Sequence, residues 1–256
     1  MRYLTKNLSI LLISLTYFMT VPVVSAEVIN LAVANSTCKA IKKVGELFKK
    51  QHNVQLNFQC KSSGRLAKGL VGDSIHADIY ISANRKWMDF MLDNNLIKAE
   101  HISSPWSNTL VVAVPKNSLI ELTEWQQLES NAIKKIFIGD PSTAPFGRYT
   151  KQAMQSTGLW SSIRDKLETR KHITLLADSL ADADDKTVGI LFYSNITDKL
   201  RVIYSIDSTW HQPINYYIGV VGKAAEQSLV NELFAFIQGA EAQAVFIESG
   251  FKINTP

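Results

Sequence analysis

The sequence lacks most of the features by which catalytic and metal-binding proteins are recognised. Neither Gly-x-Ser-x-Gly nor His-Glu-x-x-His occurs in it, which argues against the common serine hydrolases and zinc proteases. The histidines do not have the spacing of metal ligands, and they lie at five scattered positions: His52, His76, His101, His172 and His211. These absences favour a binding protein over an enzyme.

An excess of charge is also missing. The formal net charge is +4, and it falls to +2 when the N-terminal Arg2 and Lys6 are left out. A nearly balanced chain gives no reason to expect a nucleic acid or an anionic membrane surface as partner. We therefore expect no nucleic-acid partner.

Long apolar segments are absent after the first residues, which themselves have the pattern of a signal peptide. Arg2 and Lys6 precede the apolar stretch Leu8 to Val24, and Val24-Ser25-Ala26 supplies the small residues of a cleavage site. The sequence thus predicts a signal peptide over residues 1–26 and an exported protein. Cysteine is absent from the cleavage point, which argues against a lipid-anchored form.

Cysteine is scarce, with Cys38 and Cys60 as the only two residues of this type. Export to an oxidising compartment permits a disulfide between them. Sequence spacing does not establish one, because a disulfide requires close α-carbons. Two buried thiols remain the alternative.

Strand and helix patterns alternate along the rest of the chain, which is typical of an α/β fold. Two β-rich runs, near residues 108–114 and 216–221, bracket a middle segment with its own strands and helices. This arrangement predicts two lobes joined by two crossings of the chain: lobe 1 from residues 27–107 with 217–256, and lobe 2 from residues 108–216. Ligands of open α/β sheets bind beyond the carboxyl ends of the strands, which places the expected site between the lobes.

Small, hydroxylated or glycine residues stand where three predicted strands lead into helices. The three junctions are Ala34 to Thr37, Ser62-Ser63-Gly64 and Asp140 to Gly147. Helix N-termini present unpaired N–H groups and a partial positive charge, so they attract anions. Taken singly, each junction is more typical of an ordinary helix cap than of an anion site.

Several motifs in a fixed order resemble the periplasmic molybdate-binding proteins of ABC transporters. The matching segments cover essentially all of the chain after residue 26, and they are Ala34-Asn35-Ser36, Ser62 to Ala67, Ala77 to Asn84 with Lys86 to Asp89, Asn108 to Pro115, Gly139-Asp140-Pro141 with Pro145-Phe146-Gly147, and Gly189-Ile190. The resemblance implies a type II periplasmic binding protein with two lobes. Each lobe would be a mixed or mostly parallel sheet flanked by helices, with the ligand in the interlobe cleft.

The resemblance also implies which residues hold the ligand. Ser36 and Ser63 match the family's two serine ligands, and Phe146 matches a residue that contributes its backbone N–H. A further backbone N–H is expected near Thr174. Molybdate or tungstate would bind through these residues, with no cation site and no cofactor.

One position departs from the family pattern. The family has a tyrosine hydroxyl where this sequence has Phe192, and Phe192 has no hydroxyl. Tyr193 follows directly and points to the other face if the strand continues. Either a bulge presents Tyr193 to the ligand, or the protein binds with one donor fewer.

The resemblance implies a monomer that delivers its ligand to an inner-membrane ABC permease from the periplasm. Alternatives with the same fold are binding proteins for sulfate, phosphate, chromate or a small organic anion. An exported hydrolase is the alternative from another class, because Gly72-Asp73-Ser74-Ile75 weakly resembles the nucleophile block of GDS-type esterases. Asp207 and His211 lack the spacing that such an enzyme needs.

Overall fold

The computed structural model describes residues 26–254, so the predicted signal peptide lies outside the described residues, apart from Ala26. The strands are β1 (Glu27–Ala34), β2 (Val54–Lys61), β3 (Ile79–Ser82), β4 (Ile102–Ser103), β5 (Trp106–Ser107), β6 (Leu110–Pro115), β7 (Lys135–Gly139), β8 (Leu167–Arg170), β9 (Thr187–Phe192), β10 (Leu200–Ser205), β11 (Tyr217–Val220) and β12 (Lys252–Ile253). The helices are α1 (Cys38–Lys49), α2 (Ser63–Val71), α3 (Arg85–Asp93), α4 (Pro145–Ser156), α5 (Leu159–Ser162), α6 (Ile173–Ala181), α7 (Ser228–Phe236) and α8 (Ala240–Glu248).

Ten of these twelve strands form two five-stranded sheets, which confirms the predicted α/β fold with two lobes. The first sheet has the order β2-β1-β3-β11-β4, and the second has the order β10-β6-β9-β7-β8. Both are mixed, since β1, β2 and β3 are parallel in the first and β7, β8 and β9 in the second, whereas β11 and β6 pair antiparallel to their neighbours.

Alternating or continuous apolar residues explain why these segments form strands and helices. The run Leu110 to Val114 is fully buried in an interior strand of the second sheet, as expected for a strand covered on both faces. In α1, the residues Ile41, Val44 and Phe48 recur at helical spacing and are buried. Each sheet thus buries its faces under amphipathic helices.

The two crossings of the chain pair with each other where the lobes meet. Ser107 and Asn215 form an antiparallel bridge, and the N–H of Tyr216 donates to the Trp106 carbonyl over 3.0 Å. The short strand β12 adds a third segment by pairing with β5. Trp106 is fully buried here and stacks on Phe246 with 4.0 Å between ring centroids.

Within residues 26–254, no helix has the length and apolar character needed to cross a membrane.

Candidate functional site

A small cavity lies between the lobes, at the carboxyl ends of three parallel strands of each sheet. Its volume is about 10 Å³, roughly the smallest space that holds one water molecule. In an open α/β sheet this is where ligands bind. Its lining residues are Ala34, Asn35, Ser36, Ser62, Ser63, Ala83, Ala144, Pro145, Phe146, His172, Ile173 and Phe192.

The wall from the first lobe contains both predicted serine ligands. Ser36 lies in the turn between β1 and α1, and Ser63 is the first residue of α2. The strands β1 and β2 are parallel neighbours, so the turns that follow them lie side by side. Both serines are buried, with 8% and 0% of their surfaces exposed. The Ser63 hydroxyl accepts a hydrogen bond from the N–H of Ala83 over 3.0 Å.

A disulfide ties these two turns together. Cys38 follows Ser36 by two residues, Cys60 precedes Ser63 by three, and the structure joins the two cysteines. The sequence alone does not establish this disulfide. It now provides a covalent link behind the two serines.

The wall from the second lobe consists of the first residues of α4 and α6. Phe146 is the second residue of α4, where a helix supplies no partner for the backbone N–H. The start of α4 lies directly against the end of β7, because a Cβ on Gly147 would collide with the backbone carbonyl of Gly139. Only glycine at position 147 permits this approach.

The start of α6 places a different residue in the cavity from the one predicted. Ile173 is the first residue of α6 and lines the cavity. Thr174, the predicted position, does not line it and instead lines a wider neighbouring groove of about 880 Å³. The side chain of His172 caps the helix, since its Nδ1 accepts from the N–H of Leu175 over 3.1 Å. The N–H of Ile173, in the first turn of α6, has no partner within the helix.

Phe192 and Tyr193 face different spaces. Phe192 is fully buried and lines the cavity, with its ring near that of Phe146 at 6.2 Å between centroids. Tyr193 is 51% exposed and lines the wider groove, close to Gly250. Because β9 ends at Phe192 without a bulge, Tyr193 does not enter the cavity.

Tyr216 is a residue of this region that the sequence did not indicate. Its hydroxyl donates to the Ser36 Oγ over 3.0 Å and accepts from the Asn108 Nδ2 over 3.3 Å. Burial raises the pKa of Tyr216 above its usual range, so the phenol keeps its proton. The contact joins residues 180 positions apart, a separation that no local sequence pattern reveals.

The polar side chains of the cavity lining are those of Asn35, Ser36, Ser62, Ser63 and His172. The lining within residues 26–254 includes no carboxylate and no lysine or arginine side chain. The first lobe therefore supplies hydroxyl and amide side chains, and the second lobe supplies His172 and the N-termini of α4 and α6. Over the same part of the chain, no three His, Cys, Asp or Glu side chains are grouped so as to hold a metal ion.

The residues proposed for a hydrolase have other partners. Ser74 Oγ donates to the Gly69 carbonyl at the end of α2 in the first lobe. His211 packs against Tyr149 in the second lobe, with 5.8 Å between ring centroids. The structure does not bring Ser74 and His211 together as a nucleophile and its base.

Comparison with known proteins agrees with this architecture. The molybdate-binding protein ModA of Escherichia coli (strain K12) is 28% identical over 234 residues, which cover 88% of this chain and 89% of that protein. The periplasmic molybdate-binding protein of Azotobacter vinelandii superposes with a TM-score of 0.78 at 15% identity, covering 89% of this chain and all of the other. The sulfate-binding protein SubI of Mycobacterium tuberculosis gives 0.76 at 12% identity, covering 90% of this chain and 88% of the other.

A family model described as bacterial extracellular solute-binding protein matches residues 29–252, nearly the whole described chain. The two structural neighbours have the same fold at low identity. The chain belongs to the bacterial extracellular solute-binding protein family.

Proposed function

We propose that this protein is the substrate-binding component of an ABC importer and that it binds molybdate or tungstate in the cavity between its lobes. The observation that carries the proposal is the cavity itself, which has hydroxyl donors from the first lobe, helix N-termini from the second and no carboxylate in its lining. A tetrahedral dianion requires such a set of donors. The relatives named molybdate-binding protein support the choice of ion.

Four donors form the proposed binding site. The hydroxyls of Ser36 and Ser63 reach the ion from the first lobe, and the backbone N–H groups of Phe146 and Ile173 reach it from the second. Ile173 replaces Thr174 in this assignment, because it is the residue at the cavity. Phe192 supplies no donor, and Tyr193 lies outside the site.

The number of donors sets the scale of the affinity. A buried dianion without partners is prohibitively costly, whereas hydrogen bonds to charged groups contribute about 1.5–3 kcal/mol each. Four such bonds give on the order of 6–12 kcal/mol before ordering costs, which corresponds to micromolar to nanomolar binding. Donors on opposite walls also select for ion size, since closure of the lobes fixes the distance between them.

The remaining parts of the proposal concern the protein's place in the cell. Export through a cleaved signal peptide takes it to the periplasm, where a monomer delivers the ion to an inner-membrane permease.

The proposal includes the division of the chain into lobes. Lobe 1 comprises residues 27–107 with 217–256, and lobe 2 comprises residues 108–216. We assign the protein no cofactor, no nucleic-acid partner and no catalytic activity.

Titration calorimetry of protein purified from the periplasm tests this function. We expect tight binding of molybdate and tungstate, and sulfate weaker by about a hundredfold or more, or roughly 2.7 kcal/mol. Phosphate and chromate complete the series. Failure of both molybdate and tungstate to bind, or tighter binding of sulfate, would contradict the proposal. The Ser74→Ala variant is the matched control, because it removes a hydroxyl of the first lobe outside the cavity.

A further inference from the structure

The Ser36 hydroxyl is the end of a chain of hydrogen bonds whose direction is set by a backbone amide. The N–H of Thr109 donates to the Asn108 Oδ1 over 2.8 Å. Because the amide oxygen of Asn108 faces Thr109, its NH₂ group faces the other way, and it donates to the Tyr216 hydroxyl over 3.3 Å. Tyr216 then donates to the Ser36 Oγ over 3.0 Å. A backbone N–H cannot accept, so the chain has one polarity.

The residues of this series of hydrogen bonds are shielded from water. Tyr216 is 0% exposed, and Asn108 and Ser36 are each 8% exposed. The Tyr216 ring is held between Trp106 and Phe251, at 6.2 and 5.3 Å between ring centroids. A packed ring with a protonated hydroxyl is a donor of fixed position, and buried hydrogen bonds in series strengthen one another.

A hydroxyl that accepts a hydrogen bond from the protein has its own hydrogen available for another partner. Ser36 lines the cavity, so its hydrogen is available to a bound ion. Ser63 is in the same situation, because its Oγ accepts from the backbone N–H of Ala83. Accepting from a ligand would leave the hydrogen of either serine without a partner, which is costly in a buried site.

We propose that Tyr216 is a positioning residue that makes Ser36 a hydrogen-bond donor to the ligand, and that it thereby sets the selectivity of the cavity for tetrahedral dianions without a proton. The inference rests on the proposed function. Hydrogen phosphate has a P–O–H group that must donate when it is buried. The cavity lining provides no carboxylate for that proton, and the two serines are engaged as donors.

Calorimetry on the Tyr216→Phe variant tests the inference. The substitution removes the hydroxyl and keeps the packed ring. We expect molybdate and sulfate both to bind about three- to tenfold more weakly. The affinity for hydrogen phosphate should fall less or rise, because Ser36 becomes free to accept, so the ratio of molybdate to phosphate affinity narrows. Tyr204→Phe, in β10 of the second lobe, is the matched control and should leave all three affinities unchanged.

A double-mutant cycle separates positioning from a general structural role. If Tyr216 acts through Ser36, the Tyr216→Phe substitution should cost nothing further in a Ser36→Ala background. Asn108→Leu is the second variant, and it should shift selectivity in the same direction because Tyr216 then loses its fixed donor. Thermal melts of each variant establish that the protein is folded.

These experiments distinguish failure of the inference from failure of the proposed function. Additive losses in the cycle, or an unchanged ratio of molybdate to phosphate affinity in folded Tyr216→Phe, would overturn the inference and leave the proposed function intact. A wild-type protein that binds neither molybdate nor tungstate would overturn the proposed function and the inference with it.

Discussion

Cys38 and Cys60 are joined by a disulfide that spans 22 residues of sequence, with their α-carbons 6.1 Å apart. The bond connects the first residue of α1 to β2, so it holds the two turns that contain Ser36 and Ser63 in one arrangement. Its position next to both turns makes it part of the site's scaffold.

Removal of this disulfide should lower both stability and affinity. A disulfide that closes a loop of this length stabilises a protein by about 3 kcal/mol in the chain-entropy account. We expect the Cys38→Ser/Cys60→Ser variant to lose about that much in urea denaturation and to bind molybdate more weakly. Added reductant should destabilise the wild type and leave the variant unchanged. Equal stability of variant and wild type would contradict the prediction.

Removal of either serine hydroxyl should weaken binding. Each Ser36→Ala or Ser63→Ala substitution deletes one hydrogen bond to a dianion, worth about 1.5–3 kcal/mol. We expect a loss of roughly tenfold to a hundredfold in molybdate affinity for each variant, measured by calorimetry. Retained affinity in both variants, with melts like that of the wild type, would remove the site from this cavity.

Restoration of the missing hydroxyl should strengthen binding. The ring of Phe192 lines the cavity, so the hydroxyl of Phe192→Tyr adds a fifth donor. We expect molybdate to bind about tenfold more tightly. Tyr193→Phe should bind like the wild type, because that side chain lines the wider groove. A loss of affinity in Tyr193→Phe would place Tyr193 in the site and revise the assignment.

A methyl group at position 147 should displace the start of α4. The Cβ of Gly147→Ala would meet the backbone of Gly139, which has no flexible end to move aside. We expect both a lower melting temperature and weaker molybdate binding, since the Phe146 N–H moves with the helix. Ala153→Gly, further along α4, should lower stability by about 1 kcal/mol through helix propensity without a matching change in affinity.

Acid should destabilise the protein through His211. Burial lowers the pKa of His211 below its usual 6.5. Within the described residues its Nε2 has no hydrogen-bond partner, so protonation would bury an unpaired N–H. The unfolded state therefore binds more protons, and this contribution is fully present above pH 6.5 and is lost as the pH falls below it. Urea denaturation at pH 7.5 and 5.5 measures the loss, which should be smaller in His211→Gln.

Much of the fold followed from the sequence because its apolar runs are long and regular. The apolar run Ile79 to Ser82 predicts a short strand, and the spacing of Ile41, Val44 and Phe48 predicts one face of a helix. The structure has both, as β3 and α1. β8 and α6 were not predicted. β8 has four residues at the edge of its sheet and is only partly buried, so it carries little apolar alternation.

In the proposed site, side-chain donors are easier to predict from the sequence than backbone donors. Ser36 and Ser63 are recognisable by residue type. Which residue of α6 offers its backbone N–H depends on where that helix begins. It begins after His172, and histidine is not among the usual N-cap residues. The predicted donor, Thr174, is therefore one residue away from Ile173, which lines the cavity. The sequence places Tyr216 in a β-rich run, and its contact with Ser36 depends on the meeting of the two lobes.

The place of β11 in the first sheet has a consequence for biosynthesis. This strand lies between β3 and β4, although it is encoded more than a hundred residues after them. The first sheet is therefore incomplete until nearly the entire polypeptide has left the ribosome. A chain that completes its native structure so late remains unfolded for longer during its synthesis, which suits the export that we propose.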